Sequence, residues 1–232
     1  MLYISPPFGN YISYKNATRI EGTFTWFRRR GLIYHCLRSI RPVKGGWVNQ
    51  IGFRNTGIRA RLGEGPAQQN SNMVSICGMQ SSEWWEMLAF IDSDIALELN
   101  LSCPNVSKSE ITDIELSLFV KKFPTLQVKV VPTSHPDIER FKDLGIKTIH
   151  MSNTIPTAKG GISGRQLKET NLPLVEHAAN RGLSIIAGGG IYSAQDVEDY
   201  RNAGADHFSI STAFFSRPYN IPQIYKYAIR HD

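Results

Sequence analysis

The stretch IALELNLSCPN, residues 95–105, runs from an apolar strand directly into a cluster of amide, hydroxyl and thiol side chains. Its apolar half is typical of a buried strand of a parallel sheet. Polar residues at the C-terminal end of such a strand lie at the edge where α/β proteins place their chemistry. The stretch therefore predicts an α/β fold with a functional site around Cys103.

Apolar runs of this kind alternate with amphipathic helical patterns along most of the chain. We predict strands at residues 3–5, 19–24, 73–77, 95–101, 126–131, 148–151, 183–187 and 207–210. We predict helices at residues 82–91, 111–122, 136–144, 165–181 and 194–203, and a polar connection at residues 61–70. Eight strand–helix units predict a parallel sheet that closes into a compact (β/α)8 TIM barrel, a single domain over residues 1–232.

The composition excludes several classes of protein. Of the 232 residues 41% are hydrophobic, which is enough for a core, and no run approaches the ~18 apolar residues of a membrane span. The first residues lack the basic start and apolar core of a signal peptide, so we expect a cytoplasmic protein without membrane association. Three cysteines without CxxC spacing, and no cluster with ligand spacing, predict neither a disulfide framework nor a metal site.

The net charge of +6 raises the question of nucleic-acid binding. Arg28–Arg30 is the one dense basic run, and no recognisable nucleic-acid module surrounds it. A modest positive field equally favours a small anionic substrate or a phosphate-bearing cofactor. We therefore expect a small anion rather than a nucleic acid as the main partner.

The turn after the seventh predicted strand consists of three consecutive glycines, Gly188, Gly189 and Gly190. Ser211 and Thr212 follow the eighth strand. Glycines let backbone amides approach an anion, and loops at this end of a barrel often bind phosphate. A plain tight turn is the structural alternative, and the pattern does not distinguish the phosphate of FMN from a sugar phosphate.

These segments together resemble the dihydroorotate dehydrogenase family, in particular its soluble, cysteine-containing class 1. The motif NLSCPN at residues 100–105 is similar to the family's active-site segment. Further similar segments follow the family's order, at residues 5–10, 47–55, 128–132, 150–154 and 160–164. The resemblance implies an FMN-dependent oxidoreductase that converts dihydroorotate to orotate in pyrimidine biosynthesis.

The same resemblance implies a role for each matching residue. Cys103 is expected to be the base that takes a proton from C5 of the substrate while hydride leaves C6, and a thiol pKa of about 8.5 falls further beside positive charge. The substrate residues are expected to be Asn49, Gly52, Phe53, Asn100, Asn105, Asn153 and Thr154, whose amides match an amide-rich ring. The FMN residues are expected to be Asn10, Asn100, Lys129, Ser152, Gly164, Gly188, Gly189, Gly190, Ser211 and Thr212.

Each of these residue types also has a structural interpretation. A cysteine at a strand end is often a small buried hydrophobe, and asparagines at strand ends often cap turns. Lys129 would ordinarily be solvated, but it stands in an alternating apolar strand where a buried lysine needs a reason. Inside this motif we favour the functional interpretation.

Several positions differ from the family pattern. Gly22 or a neighbour stands where a second-strand lysine is expected, and Tyr11 and Ile12 replace small residues and would crowd the flavin ring. The chain starts at the first barrel strand without a preceding hairpin, and residues 106–110 lack the glycine hinge of a lid. We expect a shortened form of the family barrel, in which exposed Trp84 and Trp85 favour a homodimer.

Two other functions remain open at this point. A flavin-free phosphate-binding barrel, such as an isomerase or aldolase, would explain the glycine turn but not four asparagines around Cys103. A non-catalytic relative could bind RNA or a protein through Arg28–Arg30. The sequence does not identify the electron acceptor.

Overall fold

Eight parallel strands close into a barrel in the computed structural model, which describes residues 1–63, 72–131 and 135–230. In chain order, the strands of the described residues are β1 (Leu2–Ile4), β2 (Ala17–Phe24), β3 (Arg41–Val43), β4 (Gly46–Asn49), β5 (Asn72–Ile76), β6 (Leu97–Asn100), β7 (Leu126–Val130), β8 (Thr148–Met151), β9 (Ile155–Thr157), β10 (Gly160–Gly164), β11 (Ser184–Gly188) and β12 (His207–Ile210). The barrel order is β1, β2, β5, β6, β7, β8, β11 and β12, and β12 pairs with β1. The predicted TIM barrel is confirmed, and every predicted strand is found within two residues of its expected ends.

The helices of the described residues are α1 (Leu32–Ser39), α2 (Ile58–Gly63), α3 (Ser81–Phe90), α4 (Asp113–Lys122), α5 (His135–Asp143), α6 (Gln166–Ala179), α7 (Ala194–Asn202), α8 (Ala213–Ser216) and α9 (Ile221–Ala228). Helices α3 to α7 each connect two successive strands and pack outside the barrel wall, whereas α1 lies at the mouth of the barrel and α8 and α9 follow the last strand. The five predicted helices correspond to α3 through α7. Of the polar connection predicted at residues 61–70, the first three residues end α2, and the remainder lies outside the described residues.

A second, antiparallel sheet that the sequence did not predict lies at the mouth of the barrel. Its strand order is β3, β4, β10, β9. The segments that form it leave the C-terminal ends of β2 and β8, so they meet on the side where the barrel strands end. The register places Asn49 opposite Gly161, which joins two loops that are far apart in the chain.

The hydrophobic core lies between the outer face of the barrel and the helices. Trp84 on α3 is 1% exposed and contacts the ring of Phe119 on α4 edge-on, with centroids 6.1 Å apart. The expectation that Trp84 is exposed was therefore wrong, whereas Trp85 is 48% exposed. Adjacent positions of a helix point about 100° apart, so only one of the two rings can face the barrel.

None of the helices in the described ranges has the length and apolar character needed to cross a membrane.

A capping box fixes the start of α4, directly after the loop that carries Cys103. The Thr112 hydroxyl accepts a hydrogen bond from the Glu115 backbone N–H at 3.2 Å, and the Thr112 N–H donates to the Glu115 carboxylate at 2.8 Å. Each bond satisfies a backbone or side-chain group that the helix start would otherwise leave open. The cap therefore sets where the active-site loop ends.

We expect Thr112→Ala to lower the free energy of unfolding by about 1 kcal/mol, because the first turn of α4 loses a side-chain acceptor. Ser117→Ala is the matched control, since its exposed hydroxyl only donates to the Ile114 carbonyl inside the same helix. That control should change the free energy by no more than about 0.5 kcal/mol. Urea denaturation measures both, and equal losses would contradict a specific role for the cap.

Candidate active site

A cavity of about 250 Å³ opens at the C-terminal ends of the barrel strands, under the second sheet and α1. More than half of the predicted site residues line it. They are Asn49, Lys129, Ser152, Asn153, Thr154, Gly164, Gly189, Gly190, Ser211 and Thr212. The structure thus brings together residues from β4, β7, β10 and the loops after β8, β11 and β12.

The end of the cavity formed by the loops after β11 and β12 has the shape of an anion cradle. Gly189 and Gly190 have φ angles of +82° and +75°, a conformation that side chains rarely adopt. A Cβ atom at Gly188 would lie 2.7 Å from that of Ser152, so this close approach also requires glycine. Ser211, beside Thr212, donates its hydroxyl hydrogen bond to the Pro6 carbonyl at 3.1 Å.

A chain of amides fixes the floor of the site. Asn153 donates from Nδ2 to Oδ1 of Asn100 at 2.9 Å and to the Ser102 hydroxyl at 3.2 Å. Asn100 in turn donates to the Thr23 hydroxyl at 2.9 Å. Asn100 is 3% exposed and does not line the cavity, so it acts through Asn153.

A second amide chain holds the loop after Cys103 against the antiparallel sheet. Asn105 donates from Nδ2 to Oδ1 of Asn49 at 3.1 Å and accepts from the Gly161 N–H at 2.8 Å. Gly52 and Phe53 both have positive φ angles, +62° and +49°. A Cβ at Gly52 would lie 3.0 Å from the Asn105 carbonyl oxygen, so Gly52 packs on this loop rather than on the cavity wall.

The Thr154 hydroxyl is the unsatisfied polar group of the site. Its Oγ1 is buried at the cavity and has no hydrogen-bond partner within the described ranges. A Cβ at Gly161 would lie 2.4 Å from that oxygen, so the glycine leaves room for it. A buried hydroxyl without a partner is rare in proteins and is satisfied when a ligand supplies one.

Lys129 is 6% exposed and reaches the cavity from the inner face of β7. Below it, the fully buried carboxylate of Glu98 accepts hydrogen bonds from His150 Nδ1 and Gln127 Nε2, both at 2.6 Å. Burial alone would raise the pKa of Glu98, but the His150 N–H and the Lys129 charge lower it to about 2. Burial lowers the pKa of His150, and the Glu98 carboxylate opposes that effect. The Glu98 carboxylate and the Lys129 ammonium therefore attract each other inside the barrel.

Glu98 was not singled out in the sequence, whereas Lys129 was. Glu98 interrupts the apolar run of residues 95–99, and a charge inside a buried strand was the available signal.

Cys103 is half-buried in the loop after β6. Burial raises the pKa of its thiol, whereas the Asn105 backbone hydrogen bond and the Lys129 and Lys108 charges lower it by less. The expectation of a lowered pKa was therefore wrong, because desolvation exceeds the nearby positive charge. Among the other thiols, burial raises the pKa of Cys77 to about 12, and Cys36 on α1 lines the cavity.

Asn10 lies away from this cavity. Its amide is occupied by the backbone of Gly22, accepting from the N–H at 2.8 Å and donating to the carbonyl at 3.3 Å. The structure therefore shows Asn10 supporting β2, where the sequence predicted a cofactor contact. Tyr11 was expected to crowd the flavin ring, but it is 73% exposed and lines a different cleft.

The end of β2 carries no cation toward the cavity. A Cβ at Gly22 would lie 2.5 Å from the Ser75 carbonyl oxygen, which leaves no room for a side chain. The neighbouring Glu21 forms ion pairs with Arg19 at 3.1 Å and Arg61 at 2.6 Å. Lys129 and Lys108 therefore supply the positive charge that acts on Cys103.

No group of three or more His, Cys, Asp or Glu residues in the described part of the chain could hold a metal ion.

Comparisons with known proteins place this geometry in a family. A family model described as Dihydroorotate dehydrogenase matches residues 37–230. The dihydroorotate dehydrogenase B (NAD(+)) catalytic subunit of Oceanobacillus iheyensis is 31% identical over 215 residues, covering 78% of this chain and 70% of the relative. The corresponding subunit of Thermotoga petrophila is 28% identical over 209 residues, covering 78% of this chain and 77% of the relative.

A solved structure supports the same fold. The ligand-free DHODH of Eimeria tenella superposes with a TM-score of 0.68 over 91% of this chain and 76% of that one, at 19% identity.

We expect Lys129→Met to raise the pKa of Cys103 further, because the substitution removes a charge that favours the thiolate at similar side-chain volume. The measurement is the pH dependence of iodoacetamide alkylation in the apoprotein, in a Cys36→Ser background that leaves Cys103 as the accessible thiol. Lys108→Met should shift the midpoint in the same direction, and Lys121→Met on the surface of α4 is the control. An unchanged or lowered midpoint in Lys129→Met would show that the ammonium does not act on Cys103.

Proposed function

The chain belongs to the dihydroorotate dehydrogenase family, and we propose that Cys103 is the base with which it oxidises dihydroorotate to orotate, a step of pyrimidine biosynthesis. The observation that carries this proposal is the convergence of Lys129, Asn49 and Asn153 on one cavity beside a glycine cradle. Cys103 does not itself line that cavity, but its loop is joined to it by the hydrogen bond from Asn105 to Asn49. We propose that residues 1–232 form one FMN-binding domain.

FMN is the family's cofactor, and this chain has features that fit it. The glycine turn at Gly189 and Gly190, with Ser211 and Thr212 beside it, offers a cradle for the phosphate at one end of the cavity. Ser152 and Gly164 lie along the wall, and Lys129 offers positive charge to the ring. When bound, FMN supplies the acceptor for the two electrons that leave the substrate.

The amides match the rim of the substrate. Dihydroorotate carries N–H and carbonyl groups around its ring, and each amide side chain offers both donors and an acceptor. Asn49 and Asn153 line the cavity and are already oriented by Asn105 and Asn100. The free hydroxyl of Thr154 gains a partner when such a ring binds. Preorientation of this kind reduces the entropy lost on binding.

The raised pKa of Cys103 has a consequence for turnover. The base must be a thiolate to take the proton from C5, and burial disfavours that form. Activity is therefore expected to rise with pH until Cys103 is deprotonated, and Lys129 and Lys108 extend the working range downward. The half-buried position also limits contact between the base and water.

The other functions are less well supported. A flavin-free isomerase or aldolase gives no reason for two amide chains that begin on either side of Cys103 in the sequence, at Asn100 and Asn105, and the family assignment does not favour it. A non-catalytic relative gives no reason for an unsatisfied hydroxyl and a balanced lysine at the cavity.

Partners beyond the substrate are proposals. A homodimer rests on Trp85, which is 48% exposed on α3. The relatives named above are catalytic subunits of NAD(+)-dependent enzymes, so a different second subunit is the competing arrangement. Light scattering of the purified chain, alone and with a candidate subunit, distinguishes them. A cytoplasmic location remains a prediction.

We expect Cys103→Ser to lower the rate of flavin reduction by dihydroorotate by a factor of about 10² to 10⁴, because the serine hydroxyl is a much weaker base at neutral pH. An anaerobic titration that follows the oxidised flavin absorption band measures this, and flavin binding should be retained. Cys36→Ser is the comparison, since the Cys36 thiol lines the cavity. Full activity in Cys103→Ser, with loss in Cys36→Ser, would reassign the base.

We expect Gly189→Ala to weaken FMN binding by about tenfold or more, because the added methyl group is strained at φ +82° and would meet the Leu167 side chain at 2.7 Å. Gly182→Ala is the matched control, with φ +76° in an exposed turn and no atom within 4 Å of its Cβ. Both variants carry backbone strain, but only the first changes the cradle. Equal FMN affinities, measured by flavin fluorescence quenching, would place the phosphate elsewhere.

A further inference from the structure

A second cavity, of about 740 Å³, lies beside the end of β2. Its wall carries five guanidinium groups, those of Arg28, Arg29, Arg30, Arg54 and Arg61. We infer that this basic cleft is a second ligand site that binds a small anion with two or more phosphate groups, of the nucleoside diphosphate or triphosphate class. The inference does not rest on the proposed function.

The charge of the basic cleft is not balanced by its own acids. Among the described residues that line it, Glu21 is the one carboxylate. That carboxylate is already bound by Arg19, by Arg61 and by the Asn72 amide, at 3.1, 2.6 and 2.9 Å. Within the described residues, the arginines at positions 28, 29, 30 and 54 form no ion pair. An excess of positive charge in a concave surface attracts anions.

Two of these guanidinium groups also have unsatisfied donors. The Nε atoms of Arg29 and Arg54 are buried and have no hydrogen-bond partner in the part of the chain that the structure describes. A buried charged donor without an acceptor costs free energy, and phosphate oxygens are the acceptors that a planar guanidinium matches best. The unpaired donors thus indicate a phosphate rather than a single halide or carboxylate oxygen.

The backbone holds these two arginines in place before any ligand binds. Arg29 and Asn55 exchange two backbone hydrogen bonds, at 2.9 and 3.0 Å. The Arg54 guanidinium donates from Nη1 to the Arg30 carbonyl at 3.3 Å. A cluster fixed in this way loses little conformational entropy when it binds an anion.

The aromatic residues of the cleft indicate an organic ring beside the phosphates. Tyr11 and Tyr34 line it and are 73% and 56% exposed. Exposed rings next to arginines are a common platform for stacking a nucleobase. The unsatisfied donors lie within a concave cavity rather than along an extended basic face, which favours a small nucleotide over an RNA strand.

Isothermal titration calorimetry of ATP, inorganic triphosphate and adenosine tests this inference. The protein is titrated with and without FMN, so that a site for the FMN phosphate is filled in one arm. We expect ATP and triphosphate to bind one site in both arms, and adenosine to bind at least about tenfold more weakly because it lacks the phosphates. Failure of FMN to bind would count against the proposed function alone, since the apoprotein arm reports on the cleft.

The variant Arg29→Gln/Arg54→Gln should weaken ATP binding by about tenfold or more. Lys121→Gln/Lys142→Gln removes the same charge from α4 and α5, beyond β6 and β7 on the other side of the barrel, and should change affinity by less than about twofold. Arg29→Lys/Arg54→Lys keeps the charge without the planar fork and should give an intermediate affinity. Thermal unfolding checks that each variant is folded. If Arg29→Gln/Arg54→Gln does not fold, the ATP affinity of Arg29→Lys/Arg54→Lys decides the test.

Three results would overturn the inference. The first is no binding of ATP or triphosphate at millimolar concentration to either form of the protein. The second is an equal loss of ATP affinity in Arg29→Gln/Arg54→Gln and in the distant control Lys121→Gln/Lys142→Gln, which would indicate a general charge effect. The third is single-stranded RNA that binds more tightly than ATP at about 0.15 M salt and depends on the same arginines, which would make the cleft part of a nucleic-acid surface.

Discussion

The buried carboxylate of Glu98, below Lys129, is the constraint on which the site depends. An ammonium group inside a barrel is stable only if a countercharge lies nearby, and Glu98 supplies it because His150 and Gln127 hold its carboxylate. The charge of Lys129 at the cavity in turn lowers the pKa of Cys103 against the effect of burial. The charge at Lys129 and the pKa of Cys103 therefore depend on Glu98, His150 and Gln127, which do not line the cavity.

The amide chains convert this electrostatic arrangement into a shaped surface. One chain runs across the barrel strands through Asn100 and Asn153, and the other joins Asn105 to Asn49 on the antiparallel sheet. Because each amide spends part of its hydrogen-bonding capacity on a neighbouring amide, the remaining donors and acceptors point in fixed directions. The cost is that the loop after Cys103 is tied to the second sheet, so any motion that admits a ligand has to move both.

Periodicity predicted the barrel because buried parallel strands have a strong local signal, and it found all eight strands. It missed the four strands of the second sheet and the helices α1, α2, α8 and α9. Of these, β3 and β9 are short and largely exposed and α1 has no buried residue, and burial creates the pattern that such predictions use. The segments that resemble the family predicted a shared site for Asn49, Asn153 and Lys129, and all three side chains line one cavity. It could not show that Asn10 is occupied by Gly22 or that burial raises the pKa of Cys103, since both depend on packing between distant segments.

The position of the positive charges distinguishes this chain from the pattern it resembles. At the end of β2 the backbone at Gly22 excludes a side chain, and Glu21 draws Arg19 and Arg61 toward itself. Arginines 28, 29, 30 and 54 line the basic cleft beside this strand end. Positive charge is therefore present at this edge of the barrel, but it lies in the basic cleft and not in the cavity. Inside the cavity, Lys129 is then the cation left to meet both an anionic substrate and a flavin ring. Sharing one cation between the substrate carboxylate and the flavin ring weakens its hold on each, so selectivity for the substrate has to come mainly from the amide rim and its geometry.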